Sequence, residues 1–247
     1  MSFRPSTRGA AGEPVQYYLA VPGLAGAGLA LLAARGALLA HRRFRGHPGY
    51  ARWHDGSMAK VVLRAESDEI ALLARTRDGL TIPELPDTPL LAVFRPRSRD
   101  QASFLASLKL YSGRLAKTPL AEWPADSSVT PFVTLFVNGD LDLSAGKLAA
   151  QTAHAALEVQ ARAGRASAWN DWLDRGMPLA LVRVPQRVLL GMLDVGEAFG
   201  VEDEGRTEIP RGTIAAAGAP PSVLARWASR PDYSLLAIHD GRDLTLA

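Results

Sequence analysis

The 247-residue sequence contains no cysteine. Disulfide staples, thiolate nucleophiles and cysteine-ligated zinc are therefore excluded. Histidine is scarce at 5 residues. Basic clustering is sparse too, with nothing denser than "HRRFR" at 41–45. The opening "MSFRPSTRGAAGEP" is polar and rich in Gly and Pro. It lacks the short apolar core and small-residue cleavage site of a secretory leader. A disordered tail over 1–13 and a cytoplasmic location are the expectations.

The chain is 47% hydrophobic and 21% charged, a globular composition long enough for one large domain or two smaller ones. The net charge of +3 hides an asymmetry: residues 1–120 carry 17 Lys+Arg against 9 Asp+Glu, and the remainder 11 against 16. A basic first half could meet a polyanion, although the same balance also arises from charge scattered over solvated faces.

One stretch poses a question. "GLAGAGLALLAARGALLAH" (23–41) has one charged residue, Arg35, and approaches the length of a membrane span. It reads either as an anchor or as a buried helix that has lost its polar face. Pro22 and Gly23 break it from the preceding apolar residues, and a buried helix is the expectation, with no membrane partner.

The sequence from Pro131, "PFVTLFVNGDLDLSAGKLAAQTAHAALEVQARAG", is more specific. Phe132 to Val137 reads as a strand. A polar loop follows, in which Ser144 or Asp142 can cap a helix. Leu148, Ala149, Thr152, Ala155, Ala156 and Val159 are its expected core face. Lys147, Gln151 and His154 fall at i, i+4 and i+7, along one side of that helix. A cation, an amide and an imidazole at a helix start suit an anionic substrate. "MPLALVRV" (177–184) reads as a second strand and "PQRVLLGMLDVGEAFG" as a helix stopped by Gly200. "VEDEGRTEIPRGT" follows as a short strand and tight turn, then "IAAAGAPPSVLARW" as a strand entering a helix at Pro220-Pro221. Alternating strands and helices predict an α/β fold.

"GKLAAQTAHAAL" together with "DEGRTEIPRG" about fifty residues later resembles the type-2 peptidyl-tRNA hydrolases over roughly residues 131–229. The resemblance implies hydrolysis of the ester joining peptide to tRNA, a mixed four-stranded sheet with helices on both faces, and no cofactor or metal. It implies catalytic roles for Lys147, Gln151, His154, Asp203 and Thr207, and substrate binding by Asp140, Gly146, Arg206 and Thr213. Plainer readings stand beside these roles. Lys147 can be a solvated lysine, His154 a structural histidine, and Asp203 part of an acidic cluster that shapes a turn and pairs with Arg206. Asn138, Asp142 and Ala215 depart from the family pattern. A tRNA-binding protein on a retired hydrolase scaffold, and an aminoacyl-tRNA deacylase, are the competing readings.

The opening stretch follows the same order of elements, offset by 117–118 residues. Trp53 falls opposite Trp172, Met58 opposite Met177, and Arg64 near Arg183. Leu29, Ala33 and Gly36 stand where Lys147, Gln151 and His154 stand in the second copy. The expected organisation is two tandem three-layer lobes with four-stranded mixed sheets. These are a catalytically inert, degenerate copy over 14–111, a linker over 112–130, and the hydrolase lobe over 131–247. Two such lobes are expected to pack as a pseudo-dimer within one chain, which is itself a monomer or a homodimer.

Overall fold

The computed structural model describes residues 12–82, 89–98, 100–111, 130–203, 205 and 209–240, and the backbone of 244–246. The tail expected over 1–13 lies outside these residues up to residue 11, and the expected linker lies outside them from 112 to 129.

The first lobe runs β1 (Gln16–Ala20), α1 (Gly26–Phe44), α2 (Pro48–His54), β2 (Lys60–Arg64), α3 (Ser67–Thr76), β3 (Gly79–Ile82), β4 (Leu91–Phe94), a 3-10 helix (Asp100–Leu105) and β5 (Lys109–Leu110). The second runs β6 (Pro131–Asn138), α4 (Ala145–Ala163), α5 (Ser167–Asp174), β7 (Leu179–Val184), α6 (Gln186–Asp194), β8 (Phe199–Glu202), β9 (Ile214–Val223), α7 (Ala225–Ala228), β10 (Ser234–His239) and β11 (Leu244–Leu246).

The sheets are ordered β3-β4-β1-β2-β5 and β8-β9-β6-β7-β10-β11. Strand directions agree as well. The central pairs β1–β2 and β6–β7 are parallel, and the neighbouring pairs in both sheets are antiparallel. The four strands expected per sheet are thus corrected to five and six among the described residues. The unexpected strands are β5, only two residues long, and the β10–β11 pair at the opposite sheet's edge. "SLLAIH" of β10 is a continuous apolar run, which periodicity does not separate from a helix.

Two other boundaries differ from expectation. The helix expected to stop at Gly200 ends at Asp194, because Gly196 turns the chain with φ +70°; Gly200 lies in β8. Pro220 and Pro221 fall inside β9 instead of opening a helix. They sit where the β6–β9 register shifts, a bulge that relieves the ladder of the amide protons proline lacks.

Fine geometry also matches between lobes. Met58 and Met177 both take left-handed backbone angles, with φ 44° and 60°. Trp53 Nε1 donates to the carbonyl of Ala59 at 2.8 Å, and Trp172 Nε1 to that of Pro178 at 2.7 Å.

The lobes meet through α1 and α4, which form a helical layer between the two sheets. Ala27, Ala30, Leu31, Ala34 and Leu38 of α1 join a core with Val133, Leu135, Leu179 and Leu181 of the second sheet. Reciprocally, Ala145, Ala149, Ala153 and Leu157 of α4 join a core with Tyr18, Ala20 and Val62 of the first. Alanine lets the backbones approach closely, and the Thr152 hydroxyl reaches the carbonyl of Ala30 at 3.0 Å.

This packing explains the charge-poor stretch. Fourteen of the 19 residues of α1 are buried, so the helix has almost no face left for water. Its one internal charge, Arg35, donates to the carbonyl of Gly176 at 2.5 Å. No helix among the described residues is long and apolar enough to cross a membrane.

Candidate active site

The site is built on the start of α4 and the turn after β8. Ser144 caps α4, its hydroxyl accepting from Lys147 N–H at 3.2 Å. The expected core residues Leu148, Ala149, Thr152, Ala155, Ala156 and Val159 are all buried. The opposite stripe therefore holds Lys147 and Gln151 one turn apart.

Asp203 is fixed by backbone bonds before its side chain does anything. Its N–H donates to the carbonyl of Thr213 at 2.9 Å, and its carbonyl accepts from Gly212 N–H at 2.8 Å. The carboxylate then gathers donors from both elements. Oδ2 accepts from Lys147 Nζ in a close ion pair and from Gln151 Nε2 at 2.7 Å, while Oδ1 accepts from Gly205 N–H at 2.8 Å. The Lys147 and Asp203 side chains are only 12% and 5% exposed, so their attraction is poorly screened by water. Such a pair is electrostatically strong only while both partners remain, since removing one leaves a charge with little solvent.

His154 continues the stripe but has a different partner. Lys60 Nζ, from β2 of the other lobe, lies 3.1 Å from its Nδ1. Lys60 also donates to the carbonyl of Met58 at 3.2 Å and sits 4.7 Å from the centre of the Trp53 ring. With Lys60 donating, Nδ1 accepts and the imidazole carries its proton on Nε2. Burial, followed by the charges of Lys60 and Lys147, pushes the His154 pKa well below its ordinary value. Burial likewise lowers that of Lys60, partly offset by Glu158. Nothing in the sequence signalled Lys60, which stands 94 positions from His154 in an element whose docking no local pattern encodes.

The remaining expected residues separate. Asp140 accepts from Gln186 N–H at 2.9 Å, capping the start of α6. Gly146 is buried, and its Cα lies so near the Tyr111 backbone that an added Cβ would be 2.3 Å from the Tyr111 carbonyl oxygen. Thr213 contributes its carbonyl to hold Asp203. Arg206 and Thr207 lie outside the described residues. Among the described residues no group of three or more His, Asp or Glu side chains is placed to hold a metal ion.

The α1 residues expected opposite Lys147, Gln151 and His154 are tightly packed. Leu29 and Ala33 pack in one core with Ile82, Leu91 and Val93. At Gly36 an added Cβ would come within 2.6 Å of Val93 Cγ2.

The family model described as "Peptidyl-tRNA hydrolase PTH2" matches residues 132–225, which contain the entire Lys147–Gln151–Asp203 constellation. A peptidyl-tRNA hydrolase of Metallosphaera sedula is 34% identical over 99 residues, covering 36% of this chain and 85% of the relative. The chain belongs to this family. Further relatives with the same name come from Methanopyrus kandleri, 36% identical over 94 residues (35% of this chain, 81% of the relative), and Thermoplasma volcanium, 30% identical over 93 residues (34% and 80%). These relatives align over about a third of this chain.

Proposed function

We propose that the protein hydrolyses the ester bond of peptidyl-tRNA in the cytoplasm, using a single site in its second lobe. The observation carrying this reading is the convergence of Lys147, Gln151 and Asp203 from two separate elements within a family whose relatives bear that name.

Asp203 Oδ1 accepts one N–H and has a further lone pair, so it can orient the attacking water and take its proton. The water oxygen bonds to the ester carbonyl carbon. Negative charge develops on the carbonyl oxygen, and the remaining N–H groups of Lys147 stabilise it there. Collapse breaks the bond to the ribose oxygen, which leaves with the proton that Asp203 took. The products are a peptide carboxylic acid, which gives its remaining proton to solvent, and a ribose hydroxyl. Gln151 is assigned a positioning role, holding Oδ2 so that Oδ1 faces the water. Thr207 and Arg206 enter the reading as groups that hold the ester and the adjoining phosphate. His154, held neutral, lines the same stripe.

The first lobe is read as a degenerate copy of the second, and the pair as a pseudo-dimer. Shared strand order, the matched Trp–Met turns and offsets of 117–119 residues support this. With Leu29, Ala33 and Gly36 filling its equivalent face, the first lobe is assigned no catalysis.

The full chain incubated with N-acetylated aminoacyl-tRNA, labelled in the amino acid, is expected to release the label. Binding of the tRNA with the label retained would contradict the proposed activity. Equal cleavage of unblocked aminoacyl-tRNA would contradict its preference for peptidyl substrates.

A further inference from the structure

A second polar concavity lies in the first lobe, a cleft of about 390 Å3. His47 and Arg52 approach it from α2 and the residue before it. Arg95 and Arg97 come from the chain leaving β4, and Ser98 and Gln101 from the start of the 3-10 helix. No carboxylate and no aromatic ring other than the His47 imidazole lines it. Two carboxylates lie nearby without lining it: Glu13, between the lining residues Gly12 and Pro14, and Asp78, which faces Arg43 at 4.0 Å and favours the charged form of Arg97.

His47 shows that the cleft is electrostatically incomplete. Its Nδ1 accepts from Gly49 N–H at 3.0 Å, and Arg95 Nη1 stands 2.5 Å from its Nε2. A neutral imidazole has one accepting nitrogen and one N–H. Both ring nitrogens face donors, so in either tautomer one N–H points at another. An anionic oxygen in the cleft removes the conflict: it accepts from Arg95 and from His47 Nε2–H together, leaving Nδ1 to Gly49. Crowding of like charge points the same way, since burial and then the neighbouring Arg95 disfavour the charged form of Arg97.

The cleft is remote from the Asp203 site. Val15, at the start of β1, pairs with Arg97, which puts the cleft at that end of the strand. Tyr111, which presses on Gly146, reaches the carbonyls of Val21 and Leu24 beyond the other end of β1. Helix α1, about 28 Å long at 1.5 Å per residue, runs between the two ends.

We propose that this cleft seats a phosphodiester group of the RNA backbone, on the body of the substrate away from its ester. The assignment rests on the proposed function for its identification of RNA. The donor set recognises phosphate by charge and planar N–H pairs. The cationic, fork-shaped donors suit contact with the phosphate backbone, which carries no sequence readout.

The test is equilibrium binding of uncharged tRNA to the full chain, measured from about 50 to about 200 mM salt. Each lost phosphate contact flattens the log–log salt slope by roughly 0.7–0.9. The Arg52→Gln/Arg95→Gln chain is therefore expected to bind about tenfold more weakly at low salt, with a slope shallower by about 0.8. Arg95→Lys should keep most of the slope. If the double variant does not fold, Arg52→Gln alone, at an exposed position, is expected to give half the slope change. In a second arm, inorganic phosphate titrated against wild type should place the His47 ring proton on Nε2, read by nitrogen NMR. Wild-type tRNA affinity and slope in the folded variants would overturn the proposal. So would loss of inorganic phosphate binding with tRNA binding untouched, which marks a site for a free anion. Uncharged tRNA has no ester, so a chain that binds it and fails to cleave peptidyl-tRNA contradicts the proposed function and leaves the result for the cleft intact.

Discussion

Asp203 illustrates how many contacts converge on a single side chain here. Its carboxylate is held by Lys147, Gln151 and the Gly205 N–H. The helix partners were legible because four-residue spacing on a helix is geometry that a sequence displays directly. Asp203 was legible through the family motif, and apart from that only as one of several acids in a turn; the Thr213 and Gly212 backbone bonds that fix it are shown by no local pattern. The Lys60–His154 contact was not legible, being a product of lobe docking. It has a measurable consequence. His154 is held well below its ordinary pKa, and His41 is lowered to about 4, in both cases mainly by burial. The unfolded chain therefore binds more protons than the folded one below pH 6.5, and stability falls as pH drops. Denaturation measured from pH 7 to pH 5 should show this loss before most carboxylates titrate. Each histidine contributes at most about 1.4 kcal/mol per pH unit, less where its edge meets solvent. His154→Gln should flatten the slope, and a slope unchanged in that variant would contradict the assignment.

At the scale of elements, glycines separate packing from propensity. Gly191 in α6 has nothing within 4 Å of a built Cβ, whereas Gly146 in α4 has the Tyr111 carbonyl oxygen at 2.3 Å. Both are helical, and alanine favours a helix over glycine by about 1 kcal/mol. Gly191→Ala should therefore stabilise the protein by about 0.5–1 kcal/mol. Gly146→Ala should destabilise it by about 1–3 kcal/mol, because a backbone carbonyl cannot swing aside as a side chain can. It should also slow cleavage, since it displaces the turn that carries Lys147. Thermal melts of the two variants decide the matter, and equal shifts would contradict it. The sequence marked Gly146 as a motif residue for substrate. The structure adds a neighbour from the other lobe, and that neighbour was invisible because no periodicity reports on docking.

At the scale of the whole molecule, two sheets enclose a shared layer of α1 and α4, and each helix completes the core of the other lobe. The α/β class and the order of the central elements were legible from alternating strand and helix patterns. The strands β5, β10 and β11 were not, because short or largely apolar segments carry little periodic signal. The charge-poor run at 23–41 was legible as a buried helix once Pro22 and Gly23 were taken as breaks; only docking showed what buries it. The architecture leaves the cation–carboxylate pair in one lobe and aliphatic side chains at the matching face of the other. The account's central claim follows: all turnover passes through one site per chain. Single-turnover cleavage of N-acetylated aminoacyl-tRNA by wild type, Lys147→Met, Asp203→Asn and the double variant tests it most directly. The account predicts a loss of about 100-fold or more in each single variant. It also predicts that the double variant is little worse than the weaker single, because the two groups act as a unit. Cleavage at the wild-type rate in either single variant would contradict it.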